Sequence, residues 1–262
     1  MNIAEEIKEK GIAKVENFLS AEELNQLISI VKYYSVPKGH NDSFFITNIK
    51  TFLIKLLKLD LKKITQSYQL HQIKKKKKLN QIAGKFFENN CDLKYIDGYY
   101  SKAGKEDILP WHTDQAYDGS VMVTNSKFNI PEKFFLKFFI YLTDVTRNNG
   151  CMSYIPESHK IGFEIRKAIY EKKINYQPYW SLKDFRKIVN DNFEYFNTKI
   201  NNKLIQNFFE KTDFIKNDNK NNDFDYDAKA GTMIVFDEGG VHRGTKPSLN
   251  DRMVIRFLFM SA

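Results

Sequence analysis

Trp111-His112-Thr113-Asp114-Gln115 is the stretch from which the fold of this 262-residue chain is read. In an extended strand alternate side chains share a face, so His112 and Asp114 point at one centre. A second histidine, His242, and an arginine, Arg252, complete the set. Two imidazoles and one carboxylate on one face of an octahedron, with the other positions open, suit non-haem Fe(II) in oxygen-activating enzymes. His112, Asp114 and His242 are therefore the candidate metal ligands. By itself a His-x-Asp triplet arises by chance in soluble proteins, where it is no more than a polar strand end.

The surroundings of His242 separate the two readings. Gly231-Thr232-Met233-Ile234-Val235-Phe236-Asp237 reads as a strand opened by glycine, Glu238-Gly239-Gly240 as a turn, and Val241-His242 as the start of the next strand. After a second turn, Lys246 to Asp251, comes a strand from Arg252 to Phe259. Arg252 opens an otherwise apolar run. A buried cation there needs an anionic partner, because an unpaired buried charge is very costly.

Assembled in this way, the chain resembles the Fe(II)/2-oxoglutarate-dependent dioxygenases, and within them the phytanoyl-CoA hydroxylase-like family. Three further stretches carry the resemblance. Gly11 to Leu27 is similar to the family's opening strand and helix. Phe139-Ile140-Tyr141-Leu142-Thr143-Asp144, then Asn149-Gly150-Cys151-Met152 and Ile155-Pro156-Glu157-Ser158-His159-Lys160, are similar to its central strand, "NG" turn and "PGSH" segment. The third is the closing strand-His-turn-Arg-strand unit. Residues 35 to 90 and 165 to 225 show no match, and Glu157 stands where the family usually has glycine. The resemblance implies an α+β fold: a double-stranded β-helix (jelly-roll, cupin-like) core with flanking N-terminal helices and a helical insertion. One domain is expected over 1–262, with helical support over about 1–90, the core over about 91–262 and a helical lid over about 163–225.

The resemblance also implies the chemistry. Fe(II) would bind 2-oxoglutarate through its 1-carboxylate and keto oxygen and leave one position for O2, giving succinate and CO2 as an unactivated carbon is hydroxylated, with ascorbate as a stimulant. The distal carboxylate of the cosubstrate calls for a planar, permanently charged donor. Arg252 fits by spacing. Arg256 faces the same side of the strand roughly 13 Å further along and is the rival. Thr245 or Ser248 could add a hydroxyl. Phe139 falls where the family often has an aromatic beside the cosubstrate, and a plain core phenylalanine is the alternative. His159 belongs to a segment whose histidine does not bind metal in the family, and the residues after it read as a loop. In related halogenases a small residue replaces the carboxylate; Asp114 is present, so hydroxylation or a related oxidation is expected. Carrier-bound or CoA-linked acyl groups, free amino acids, sugar derivatives and secondary metabolites all remain open as substrates.

With 41 basic and 32 acidic side chains the chain carries a net charge of +9. One reading is a basic surface for nucleic acid, anionic membrane or phosphorylated substrates; the other is a lysine- and asparagine-heavy composition with no such role. The lysines are scattered and few arginines are placed for bidentate contacts, which favours the second. The dense run Lys74 to Lys78 is expected on a solvated helix face or loop. A basic nucleic-acid or surface-binding jelly-roll module without catalysis is thus the competing function, and a catalytically silent scaffold a third. No apolar run approaches bilayer length, the N-terminus lacks the apolar core of a signal peptide, and two cysteines give no disulfide framework. A cytoplasmic protein is expected, with nothing to set its oligomeric state.

Local signals fill in the elements. Residues 3 to 10 form a charged helix stopped by Gly11, and Ile12 to Val15 a strand. Ser20-Ala21-Glu22-Glu23 is a capping box opening a helix to about Tyr33, with Leu24, Leu27, Ile28 and Val31 on one face. Residues 50–59 and 61–90 read as mostly helical; His40 and His71 within them are assigned no chemistry. Lys94 to Ser101 alternates as a strand, Ala103 to Pro110 is a loop, and Phe134 to Thr143 a long central strand. Its two faces are Leu136, Phe138, Ile140, Leu142 and Lys137, Phe139, Tyr141, Thr143. Residues 163–225 read as a helical insertion over the iron, with 218–227 polar and mobile.

Overall fold

The computed structural model describes residues 2–35, 61–104, 109–114, 135–175, 180–216 and 224–261. Its strands are β1 (Ile12–Val15), β2 (Cys91–Ser101), β3 (Leu109–Thr113), β4 (Phe135–Tyr141), β5 (Met152–Tyr154), β6 (Trp180–Ser181), β7 (Asp225–Tyr226), β8 (Met233–Asp237), β9 (His242–Gly244) and β10 (Arg252–Ser261). Its helices are α1 (Ile3–Lys10), α2 (Ala21–Ser35), α3 (Leu61–Lys76), α4 (Leu79–Phe87), α5 (Ser158–Tyr170), α6 (Leu182–Asp191), α7 (Phe193–Lys199) and α8 (Asn202–Lys216).

The alternation along β4 decides the layering. Leu136, Phe138 and Ile140 point outward with Val235 of β8 and Ile255, Phe257 and Phe259 of β10. There they meet Ile7, Leu27, Leu70, Ala83 and Phe86 of α1–α4. Tyr141, on the opposite face, joins Ile234, Phe236 and Val254 against Met152 and Tyr154 of the other sheet. The period of two in the sequence thus becomes two separate cores, one behind the first sheet and one between the sheets. That first sheet has the antiparallel order β1-β8-β4-β10-β2, and the second the order β6-β3-β9-β5-β7. Two facing antiparallel sheets flanked by helices are the α+β jelly roll expected.

Behind the second sheet, Trp111, Ile155 and Val241 pack against Ile161, Ile165, Phe185, Phe196 and Phe208 of α5–α8. Alternation puts Trp111 on the face opposite His112, so these helices build a wall behind β3 and β9. Within the insertion expected as a lid, the apolar side chains of α5–α8 bury themselves on the back of the sheet that bears the histidines. Two boundaries also differ. The stretch after His159, expected as a loop, is the first turn of α5. Ile161, Ile165, Ala168 and Ile169 are all buried along it at helical spacing. Asp225 and Tyr226, expected to be mobile, form β7 and pair with Ser153 and Met152.

The capping box of α2 is present: the Glu23 amide donates to Ser20 Oγ at 3.2 Å and the Ser20 amide to Glu23 Oε2 at 2.8 Å. Glu23 also takes Lys76 and Lys77, each at 2.8 Å. Burial pushes its carboxyl up, but the two lysines and the Ser20 amide outweigh that and bring it down to about 2. The lysine run is therefore only partly a solvated face; Lys77 reaches back to the Phe18 carbonyl and ties α2 to the α3–α4 corner. His71 sits half-buried on α3. His40 and the helix expected over 50–59 lie outside the described residues.

Candidate metal centre

β3 and β9 are antiparallel neighbours in the register His112↔His242, so the two histidines lie side by side on one face of the second sheet. Their ring centroids are 4.5 Å apart. Asp114, one residue past the end of β3, turns its carboxylate between them: Oδ1 lies 3.4 Å from His112 Nε2 and Oδ2 3.4 Å from His242 Nε2. One ligand atom from each of the three lies within 4.8 Å of the others.

The far side of each ring settles what the near side can do. His112 Nδ1 is 2.7 Å from the Pro110 carbonyl and His242 Nδ1 is 2.8 Å from the Gly240 carbonyl. A carbonyl only accepts, so each Nδ1 carries the proton and each Nε2 presents a lone pair to the centre. Such outer partners are what orient metal-binding imidazoles. Burial lowers the His242 pKa, which keeps that ring neutral. Burial pushes the Asp114 carboxyl up, yet Lys137 and the two imidazoles hold it well below the usual carboxylate range. Two neutral imidazoles and an ionised carboxylate therefore converge, a donor set that fits a divalent first-row metal. Tyr154 lies parallel to His242 at 6.4 Å, and a Cβ on Gly240 would fall 1.9 Å from the Tyr154 hydroxyl. Only glycine lets the β8–β9 turn approach closely enough to hold His242.

Sequence reasoning placed Lys137 on the face of β4 that carries Phe139, Tyr141 and Thr143, without giving it a role. Its ammonium lies 2.7 Å from Asp114 Oδ2 and also binds Glu238. All three side chains are largely buried. Glu238, read as a turn residue, has its carboxyl pushed up by burial. The one available signal was a lysine in an otherwise apolar strand.

Arg252 and Arg256 have different surroundings. Arg256 grips Asp97 with two bonds, Nε to Oδ1 at 2.7 Å and one terminal nitrogen to Oδ2, and lies between the rings of Tyr95 and Tyr99, 4.8 Å from each. Arg252 is 4% exposed, makes no ion pair among the described residues, and leaves Nε without a hydrogen-bond partner. Its guanidinium is 5.6 Å from the Tyr141 ring. A buried guanidinium with an unpartnered Nε and no carboxylate beside it among the described residues is what an anionic ligand would complete. Gly150 makes room for it: with φ +76 it occupies the left-handed region, and a Cβ there would sit 2.9 Å from Arg252 Cδ.

Phe139 packs edge-on against Phe236 at 5.2 Å, on the same face of β4 as Lys137 and Tyr141. It therefore lies between the end of the sheet that meets Asp114 and the end that meets Arg252. Thr245 is already used: its hydroxyl donates to the Cys151 carbonyl at 2.9 Å, a bond that secures the chain after β9. Ser248 likewise bonds the Asn148 carbonyl. Neither hydroxyl is free as a donor to a ligand. His159 lies outside the triad, with Nε2 3.2 Å from the Lys8 carbonyl.

A family model described as phytanoyl-CoA dioxygenase (PhyH) matches residues 7–248. The chain belongs to that family. Membership places it among the iron- and 2-oxoglutarate-dependent dioxygenases, and the competing non-catalytic module is not favoured. A search of curated proteins finds no match. Among solved structures, the epimerase SnoN of nogalamycin biosynthesis, in complex with Fe3+, α-ketoglutarate and nogalamycin RO, superposes with a TM-score of 0.57 at 12% identity, over 99% of this chain and 82% of that one. EvdO2 from Micromonospora carbonacea var. aurantiaca, complexed with 2-oxoglutarate, gives 0.53 at 14% identity over 99% and 90%. HygX from Streptomyces hygroscopicus, with nickel and 2-oxoglutarate bound, gives 0.54 at 11% identity over 98% and 84%. At such identities these matches establish the PhyH-type fold.

Proposed function

We propose that His112, Asp114 and His242 hold Fe(II), that Arg252 binds the distal carboxylate of 2-oxoglutarate, and that the enzyme hydroxylates an unactivated carbon with release of succinate and CO2. The observation that carries this reading is the convergence of two imidazoles, each with its Nδ1 proton committed to a carbonyl, on one ionised carboxylate. When bound, the iron would supply activation of O2 coupled to oxidation of the keto acid. The chain's own residues do the rest. Arg252 neutralises and aims the far end of the cosubstrate, and Phe139, between the two ends, excludes water from its flank. The pairing of Arg256 with Asp97 supports Arg252 as the carboxylate donor. Thr245 keeps only a structural part.

The substrate is proposed to be a small molecule or a carrier- or CoA-linked acyl group, acted on by one domain spanning 1–262. A cytoplasmic setting accords with the two free cysteines. No helix among the described residues is long and apolar enough to cross a membrane.

The test is succinate formation by the purified protein with Fe(II), 2-oxoglutarate and O2, with and without ascorbate, across a panel of these substrate classes. Product mass should rise by one oxygen. Because SnoN is named an epimerase, an unchanged mass with altered retention is scored as well. His112→Ala and Asp114→Ala should each abolish turnover; retained iron-dependent succinate formation in either would refute the assignment.

A further inference from the structure

Lys137 is 5% exposed, and its ammonium has two anionic neighbours, Asp114 and Glu238. Its stem is confined as well: Nζ lies 6.0 Å from the centre of the Phe139 ring and 5.6 Å from that of Phe236. Glu238 is in turn fixed by its backbone. Thr113, the residue between His112 and Asp114, donates its hydroxyl toward the Glu238 and Gly239 carbonyls at 3.4 and 3.3 Å. One contact thus joins β3 to the turn that carries His242.

A lysine serving only to neutralise Asp114 would need no second carboxylate, and burying one adds a desolvation cost. Two anions do something one cannot: they hold a flexible ammonium at a fixed point, and keep it there when a dication arrives nearby. We propose that Lys137 is a positioning residue for the metal ligand Asp114, anchored on Glu238, taking Asp114 Oδ2 and thereby turning Oδ1 to the ion. The carboxylate then binds through a single oxygen, which leaves coordination positions open for cosubstrate. This rests on the metal-centre reading above and adds to it the means by which the carboxylate is held.

The test uses Ni(II) alone as probe, titrated calorimetrically into the full chain. Lys137→Met combined with Glu238→Gln removes one positive and one negative charge, so the net charge around the ion is unchanged while the hold on Asp114 is lost. The double variant leaves Asp114 without its buried cation, so its melting temperature should fall by about 6–12 °C, and the folded protein should bind Ni(II) about 10–100-fold more weakly. A lysine that merely balanced buried charge would be replaced without loss, and wild-type affinity in the double variant overturns the proposal. Should that variant fail to fold, the crystal structure of the wild type with Ni(II) decides. Lys137 Nζ on the non-coordinating oxygen of a monodentate Asp114 supports the proposal, and a chelating Asp114 or a Lys137 turned away overturns it. A wild type that binds no Ni(II) would instead remove the metal centre itself, an outcome distinct from equal binding by wild type and variant.

Discussion

Arg252 and Arg256 lie four residues apart on one face of β10, and their replacement should produce opposite phenotypes. Arg256→Ala breaks a bidentate pair and leaves Asp97, 2% exposed, as a buried carboxylate without its partner. Breaking such a pair costs about 3 kcal/mol or more, which for a domain of this size is a melting temperature lower by about 6–12 °C. Arg252 has no such pair to break among the described residues. Its side chain is a buried charge whose nearest described aromatic neighbour is Tyr141, a hydroxyl that burial pushes up to about 12 against the pull of the guanidinium. Arg252→Ala should therefore leave the melting temperature of the ligand-free protein within a few degrees of wild type. What it loses appears only with cosubstrate present. Removing the cation from a desolvated carboxylate is worth about 3 kcal/mol, or roughly 150-fold in the 2-oxoglutarate concentration needed for half-maximal succinate formation. Arg252→Lys, which keeps the charge and loses the planar fork, should recover part of that. The assay is a 2-oxoglutarate titration at saturating Fe(II), paired with thermal denaturation of the same preparations. A raised 2-oxoglutarate requirement in Arg256→Ala and a normal one in Arg252→Ala would show that the guanidinium was misassigned.

Three further outcomes follow from single contacts. Gly150→Ala puts a Cβ against Arg252 Cδ at φ +76; about 1–2 kcal/mol of backbone strain should accompany a raised 2-oxoglutarate requirement, and an unaltered requirement would show that Arg252 has slack. Glu157, the residue in the family's glycine position, sits at φ 71, so Glu157→Gly should hold or raise the melting temperature while the β-branched Glu157→Val lowers it by several degrees; equal values would deny the strain. His159 is held down to about 4 by burial, with Lys160 and Arg166 acting the same way and the Lys8 carbonyl opposing. Its folded value is depressed, so its contribution is complete above the unfolded value near 6.5 and is lost as pH falls from there toward 4. The loss is worth about 3 kcal/mol, and denaturant titrations should show a shallower pH slope over that window in His159→Gln than in wild type.

The fold was legible where two periodicities met punctuation. Alternation in 135–141 gave both faces of β4, and Gly231, the Glu238–Gly240 turn and the 246–251 turn framed β8, β9 and β10. These patterns survive because each strand is buried on both faces by different partners, so a register slip would exchange two cores that differ in composition. Only the first turn of α5 reads as a loop in the sequence, because Lys160 and Gly162 suggest one, while 163 onward reads as helical. Yet Glu157 takes a left-handed conformation just before the helix, and Gly162 is buried within it, where the spacing of Ile161, Ile165 and Ala168 outweighs the glycine. The direction in which the insertion packs was not legible. Amphipathic helices announce that they have an apolar face and say nothing of which sheet surface it will cover.

The same distinction runs through the site. His112 and Asp114 are two residues apart and could be paired from strand geometry alone, and His242 joins them through one antiparallel register. Lys137 and Glu238 reach the centre from β4 and from the β8–β9 turn, in different parts of the sequence, and no local rule links either to Asp114. What the chain did display was a charge where an apolar residue would pack better. Arg252 and Lys137 both interrupt the inner faces of core strands, and each such interruption carries a desolvation cost that the fold tolerates only with an anion to meet it. Lys137 has two anions inside the protein. Arg252, with its Nε unpartnered, has none among the described residues, which is why we propose that the cosubstrate supplies its anion.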